Sequence, residues 1–376
     1  MERPTAEQRL PDAPERATAE RATAERPTAE RAPAEPPVGL IAAIKGFLHK
    51  HHQKLWWLHS AYALALGAFV ATFAAKGLAH VRWLLLFVLV AWFIIVAVFR
   101  LAGSGREQSL TTPRQKLHFL IMTYVLKNLY QGMLFFLLPF YWKSTTAGTT
   151  TMWFLVLLIG CTLLATLDVV FDRVLMRWRL LASLYYGMAL FACLNLAVPA
   201  LLGLPAAYSL ALAGAGATIG FWTLHFGLRQ LRRGPVALVF AFTVLLSVGA
   251  LQAARHAIPP VPLTLVHAAV GPQLLPDGRL ALEVTALHED LMNQMIVVTD
   301  VLVLTDSNEQ FVHVWRHFDR EVLRLIPTRQ PADTLIRLRS TLEAEQLPQN
   351  RAGPWTVDVE TEHGQLVGRF GFVVKD

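Results

Sequence analysis

Long apolar runs fill the middle of the chain, near 56–75, 82–99, 117–141, 152–171, 180–202, 204–226 and 235–252. At ~1.5 Å per residue, a helix over any of them is long enough for a ~30 Å hydrocarbon core. Only Gly203, Leu204 and Pro205 separate the fifth run from the sixth. Proline disfavours helix at the residue before it, so the pattern predicts a helical hairpin there. From Leu263 the period changes to two. Trp355, Val357 and Val359 alternate with Thr356, Asp358 and Glu360; His363 and Gly364 turn the chain; Leu366, Phe370, Phe372 and Val374 return on the apolar side. This predicts a half-buried antiparallel hairpin. A second hairpin joins Phe311–His317 to 321–326 across Phe318, Asp319 and Arg320, and further strands fit 263–270, 280–288, 294–304 and 335–340. The fold class read from these patterns is an all-α polytopic membrane bundle of about seven transmembrane helices, followed by a small all-β, immunoglobulin-like sandwich domain.

Composition supports the membrane reading: 54% of the 376 residues are hydrophobic and 16% charged, against about a quarter charged in soluble domains. Two cysteines exclude a disulfide scaffold. Charge divides the chain into three parts. Residues 1–37 hold six Arg against eight acids, residues 38–256 hold eighteen Lys and Arg against three acids, and residues 257–376 hold ten against sixteen. The first part repeats the pentapeptide of 15–19 at 20–24 and has almost no large apolar residue, so a disordered low-complexity tail is expected. It is too long and too mixed in charge to lead a cleaved signal peptide. Leu40, Ile41, Ile44, Phe47 and Leu48 then fall at helical spacing, as in an interfacial helix.

The positive charge of 38–256 lies between apolar runs, which reads as membrane orientation and not as a nucleic-acid surface. With the N-terminus inside, thirteen Lys and Arg fall on inner segments and four on outer ones. That places the N-terminus in the cytoplasm and residues 257–376 outside, in the periplasm if the chain is bacterial.

Candidate chemistry is sparse. In the third run Tyr124, Asn128 and Gln131 share a stripe with Lys127 at its edge. An ionisable group near mid-membrane costs about 2.5–3.5 kcal/mol, so Lys127 calls for a partner or a wet cavity. Asp168 in the fourth run is the best counter-ion. The set Lys127, Asn128, Gln131 and Asp168 reads either as a pocket for a small anion, a lipid headgroup or a proton, or as a polar lock between helices. Gly214, Gly216 and Gly220 lie inside an apolar run with no preceding strand, so they read as a helix-packing face and not a nucleotide loop. His49, His51, His52 and His59 lie in a basic juxtamembrane stretch without acids, and His313 and His317 share a strand face that His288 reaches only under suitable pairing; no metal site is assigned to either group. Arg337 and Arg339 also share a face and are candidate partner-binding residues. Cys161 and Cys193 read as small buried apolar residues. No nucleophile–base set, phosphate loop or catalytic carboxylate pair is present, so neither a cofactor nor an enzymatic activity is expected.

The segment 311–317, the run 320–327, and 353–359 followed by 364–368 resemble the DUF2914 family, which carries a hydrophobic-His-x-Trp hairpin and a Gly-x-Trp-x-Val-x-Val strand. Residues 137–146, followed by Leu167 and Asp168, are similar to DUF5924, a multi-pass family found joined to that domain in bacteria. Both families are of unknown function. The resemblance implies a bacterial inner-membrane location and adds no activity. Arg337 and Arg339 stand where that family tends to have an Arg/Trp-rich strand, here without the Trp.

The expectation that follows is a non-enzymatic inner-membrane protein in contact with membrane lipid, with a periplasmic sandwich that recognises a protein or envelope component. The alternative is a transporter or lipid handler using the surroundings of Lys127. Against that alternative, no repeat pairs the apolar runs.

Overall fold

The computed structural model describes residues 113–167, 178–226, 234–303, 308–332 and 335–376, except 343, 344 and 346, together with scattered positions between 61 and 93. The tail at 1–37, the segment at 40–48, the four histidines at 49–59 and Asp168 lie outside the described residues, as does most of the first two apolar runs.

Five α-helices follow the later apolar runs: α1 (Pro113–Lys143), α2 (Thr151–Thr166), α3 (Arg179–Leu202), α4 (Ala206–His225) and α5 (Gly234–Ala253). Gly203 ends α3 in the left-handed conformation at φ 65°, which a side chain would resist, and Pro205 precedes α4. This is the hairpin break read from the sequence. The small residues of α4 are packing positions: a Cβ on Gly214 would lie 2.5 Å from Leu251 of α5, and one on Gly220 2.5 Å from Leu190 of α3. Leu134, Leu137, Tyr141, Leu155, Leu158 and Leu196 centre the core that joins α1, α2 and α3. Cys161 and Cys193 are buried thiols.

The seven-span bundle is not what the structure shows. Among the described residues, two helices are long and apolar enough to cross a membrane, Leu180–Leu202 and Gly234–Ala253. α2, at 16 residues, is shorter than a span, and α1 carries four cations (Arg114, Lys116, Lys127 and Lys143). Apolar runs counted along a sequence include helices that serve partly as protein core.

The C-terminal part is a β domain, with nine strands among the described residues: β1 (Thr264–Gly271), β2 (Ala286–His288), β3 (Ile296–Leu302), β4 (Phe311–His317), β5 (Arg320–Leu325), β6 (Thr328–Ala332), β7 (Leu335–Thr341), β8 (Gly353–Thr361) and β9 (Leu366–Lys375). They form a four-stranded sheet, β1-β3-β7-β6, and a five-stranded sheet, β2-β9-β8-β4-β5. All pairs are antiparallel except β2 with β9. The sheets share a core: Val270 and Val297 from the first, with Met295 just before β3, meet Trp315, Trp355, Val357 and Phe372 from the second.

Trp355, Val357 and Val359 face this core as the alternation predicts. The return strand differs in one respect. A bulge between Val359 and Glu360 shifts its register, and Val367 enters the core where Leu366 was expected. The β4–β5 turn is two residues, Phe318 and Asp319, both at positive φ (48° and 60°), which suits the twist of a tight hairpin.

A polar network crosses the core. His313 is fully buried, with Nε2 3.0 Å from Thr299 Oγ1 and Nδ1 2.7 Å from Ser340 Oγ, so β4 is tied to β3 and β7 of the opposite sheet. Burial lowers its pKa from 6.5 to about 3. The unfolded imidazole takes up a proton that the folded one refuses, so this contribution to stability is complete above the unfolded value and is lost as pH falls from there towards the folded value. We expect sandwich stability to decline by up to ~1.4 kcal/mol per pH unit below ~6.5. Urea midpoints of the full chain against pH measure this, and His313→Gln should flatten the slope in the window above the carboxylate range.

Candidate functional site

Three places hold polar side chains in quantity. The first is α1, where Gln131 is buried and Asn128 half-buried. Both have interaction partners. Lys127 lies in the same helix, and its proposed counter-ion Asp168 lies outside the described residues. Further along, the described interior is packed: Tyr130 meets Tyr185 and Tyr186 of α3 edge-on, with ring centroids 5.9 and 6.2 Å apart, and Asn195 donates to the Tyr141 hydroxyl, which donates to the carbonyl of Ala192.

The second place is the pair of outward sheet faces. Arg337 does not stand open: its Nε and Nη2 make a two-pronged pair with Asp300 on β3 (2.8 and 3.1 Å), and Nη1 donates to the carbonyl of Asp277. Asp300 holds the guanidinium pKa above its usual value. Arg339, two residues on, is exposed on the same face. The register explains the difference, because Arg337 is directly opposite Asp300 and Arg339 is opposite Val298.

On the five-stranded sheet, the polar side of β8 was expected to face water and is instead buried under arginines. Asp358 accepts from Arg316 Nε (2.8 Å) and from Arg369 Nε and Nη2. Arg324 Nη1 lies 3.3 Å from Glu360 and Arg316 Nη2 lies 3.7 Å from it. Burial raises the Glu360 pKa, and Arg324 opposes that rise. Sequence parity puts these acids on one face; the cross-strand partners become visible only with the register.

The third place, which sequence reading missed, is the junction of helices and sheets. Glu309, just before β4, reaches out of the β domain so that its Oε2 accepts the backbone N–H of Ala206, the first residue of α4, at 2.6 Å. The surrounding crevice is small and lined by Pro199, Leu204, Val261, Pro262, Leu263 and Val303. Burial raises the Glu309 pKa; the Ala206 N–H and His363 oppose the rise, and Glu362 adds to it. Further bonds complete the seam. Thr150 donates to the carbonyl of His256 (2.8 Å), His256 Nδ1 lies 2.8 Å from the carbonyl oxygen of Gly364, and Gln365 Nε2 donates to that of Ile258. The sandwich is thus mounted at the end of the helical part where α1 and α3 finish and α2 and α4 begin. Nothing in the sequence around Glu309 signals this role.

No group of three or more His, Cys, Asp or Glu residues is arranged to hold a metal among the described residues. His288 pairs with Asp290, and His317 is hydrogen-bonded to the carbonyl of Ala352 and stacked on Trp355.

No curated protein and no solved structure matches this chain. Two families do, a family of unknown function, DUF5924, over residues 40–293, and a protein of unknown function, DUF2914, over residues 308–374. The first match runs beyond the helices through β1 and β2, and the second takes in β4 to β9, so both sheets draw strands from both segments. Matched over more than half of its length, the chain belongs to the DUF5924 family.

Proposed function

We propose that this is a non-enzymatic protein of the bacterial inner membrane whose sandwich recognises a protein partner or an envelope component on the outer side. The observation that carries the reading is the mounting: the sandwich docks through Glu309, Gly364 and Gln365, and Arg339 on an outward sheet face stays exposed. Insertion in lipid is supported by the apolar exterior of the helices. Leu238 and Leu245 of α5 and Trp153 of α2 are each more than 70% exposed, an apolar surface that calls for cover. Exposed Trp142, Trp153 and Tyr208 ring the sandwich end, and exposed Trp178 marks the opposite one, as aromatic residues do at the two faces of a bilayer. The proposed orientation is supported by Arg229, Arg232 and Arg233 before α5 against Arg255 alone after it, the charge bias of a chain whose sandwich lies on the outer side.

A cysteine replacing Arg339 in the full chain tests location. It should react with a membrane-impermeant maleimide once the outer membrane is opened; reaction only after the inner membrane is breached would reverse the orientation. A photo-crosslinking residue at the same position should yield a discrete adduct in living cells. Absence of any adduct there and at Arg324 and Phe318 would remove the recognition reading.

A further inference from the structure

Four acids are buried among the described residues of the sandwich and its approach: Asp300, Glu309, Asp358 and Glu360. Three are held by arginine, Asp300 by Arg337, Asp358 by Arg316 and Arg369, and Glu360 by Arg316 and Arg324. Glu309 is different. Its carboxylate is bonded to a backbone N–H of another part of the fold, inside an apolar crevice. Arg329 approaches the same residue but donates to its backbone carbonyl, at 3.4 Å. From the β8–β9 turn, His363 and Glu362 face it. Pro199 of α3, Leu204 of the α3–α4 turn, Ala206 of α4, and Val261, Pro262 and Leu263 of the connection to β1 bring it no charge.

α4 has no acid in its first turn, and Pro205 before it offers no side-chain acceptor, so Glu309 serves the positive end of this helix from a distance of 103 residues in sequence.

We propose that Glu309 makes the docking of the sandwich on the helices proton-responsive, with the protonated carboxyl closing the junction and the ionised one loosening it. The physical reason is desolvation. An ionised carboxylate loses its water in the docked state and gains one N–H in return, whereas in an undocked state it is hydrated. A neutral carboxyl avoids most of that cost and still accepts from Ala206 through its carbonyl oxygen. The sign follows from linkage: burial raises the docked pKa above the ordinary carboxylate value, so the docked state binds the proton more tightly and acidification favours docking. One proton changes the docking equilibrium by at most about tenfold per pH unit across its titration. This device needs no assumption about what the sandwich binds.

The test uses the full chain in lipid nanodiscs with spin labels at positions 212 and 339, one on α4 and one on β7. Pulsed dipolar spectroscopy should show a single short distance at low pH and a growing longer population as pH rises. Glu309→Gln, which imitates the neutral acid, should hold the short distance at every pH, while His363→Asn should keep the pH response. A wild-type distribution that does not change with pH overturns the proposal whatever the variants do. A pH response that survives in Glu309→Gln, or vanishes in His363→Asn alone, also overturns it and assigns the proton elsewhere. Unchanged amide exchange in β8 of each variant shows that the sandwich itself is folded.

Discussion

Trp355→Ala lowers the stability of the sandwich by about 3–5 kcal/mol. The indole is 1% exposed and sits in the cluster where both sheets meet. One side stacks on His317 at 4.6 Å between centroids and 20° between planes, and the other lies nearly parallel to Phe372 at 6.4 Å. Its Nε1 donates to the carbonyl of Arg351 at 2.8 Å, which ties the approach to β8 down on the strand itself. Truncation opens a cavity between two rings that neighbours on a hydrogen-bonded ladder cannot move in to fill. Trp355→Phe keeps most of the stacked area and should cost less than half as much. Urea titration of the full chain, followed by amide exchange in β8 and β9, reads the sandwich separately from the helices; an alanine variant with an unshifted midpoint would mean that this cluster is not the core.

Asp358→Ala costs about 3 kcal/mol by a different route. Its side chain is 1% exposed and faces two arginines that are 23% and 32% exposed. Removing the acid leaves two guanidinium groups without their shared carboxylate, with only part of each in water. The loss sits at the lower end of the range for breaking a buried pair because Arg316 and Arg369 can turn outward and hydrate. Arg316→Met is milder, since Arg369 still grips the carboxylate with two nitrogens. Because Asp358 raises the pKa of Glu360 through its charge, its removal also makes Glu360 easier to ionise. A midpoint for Asp358→Ala equal to that of Arg316→Met would show that the acid adds nothing beyond a single pair.

Periodicity made much of the local structure legible. Alternation of two located the β4–β5 and β8–β9 hairpins and told which side of β8 is core, because a strand buried on one face must repeat its apolar residues at that spacing. Gly203 and Pro205 announced the break between α3 and α4, since the chain there needs one left-handed residue and then one that cannot continue the preceding helix. The small face of α4 was likewise readable as a packing surface. β6 went unseen because 328–332 has no alternation, and its strand exists by pairing with β7.

What the residues alone could not convey is how far an apolar run serves lipid and how far it serves protein. α3 and α5 are both apolar enough to cross a membrane, yet 61% of the α3 window is buried inside the fold and none of the α5 window is. Hydropathy measures distaste for water, which core and lipid satisfy equally, so the seven-span count had no means of telling them apart. Charge behaves the same way. Arg337 and Arg339 look alike in sequence, but cross-strand register sets one against Asp300 and the other against Val298. Glu309 is the extreme case: an ordinary acid before a strand becomes the pin between two parts of the molecule only because the fold brings Ala206, distant in the chain, within 2.6 Å of it. Local pattern and turn chemistry belong to neighbouring residues and can be read in order; partnership across a fold depends on which distant surfaces meet, and only three-dimensional packing assigns that.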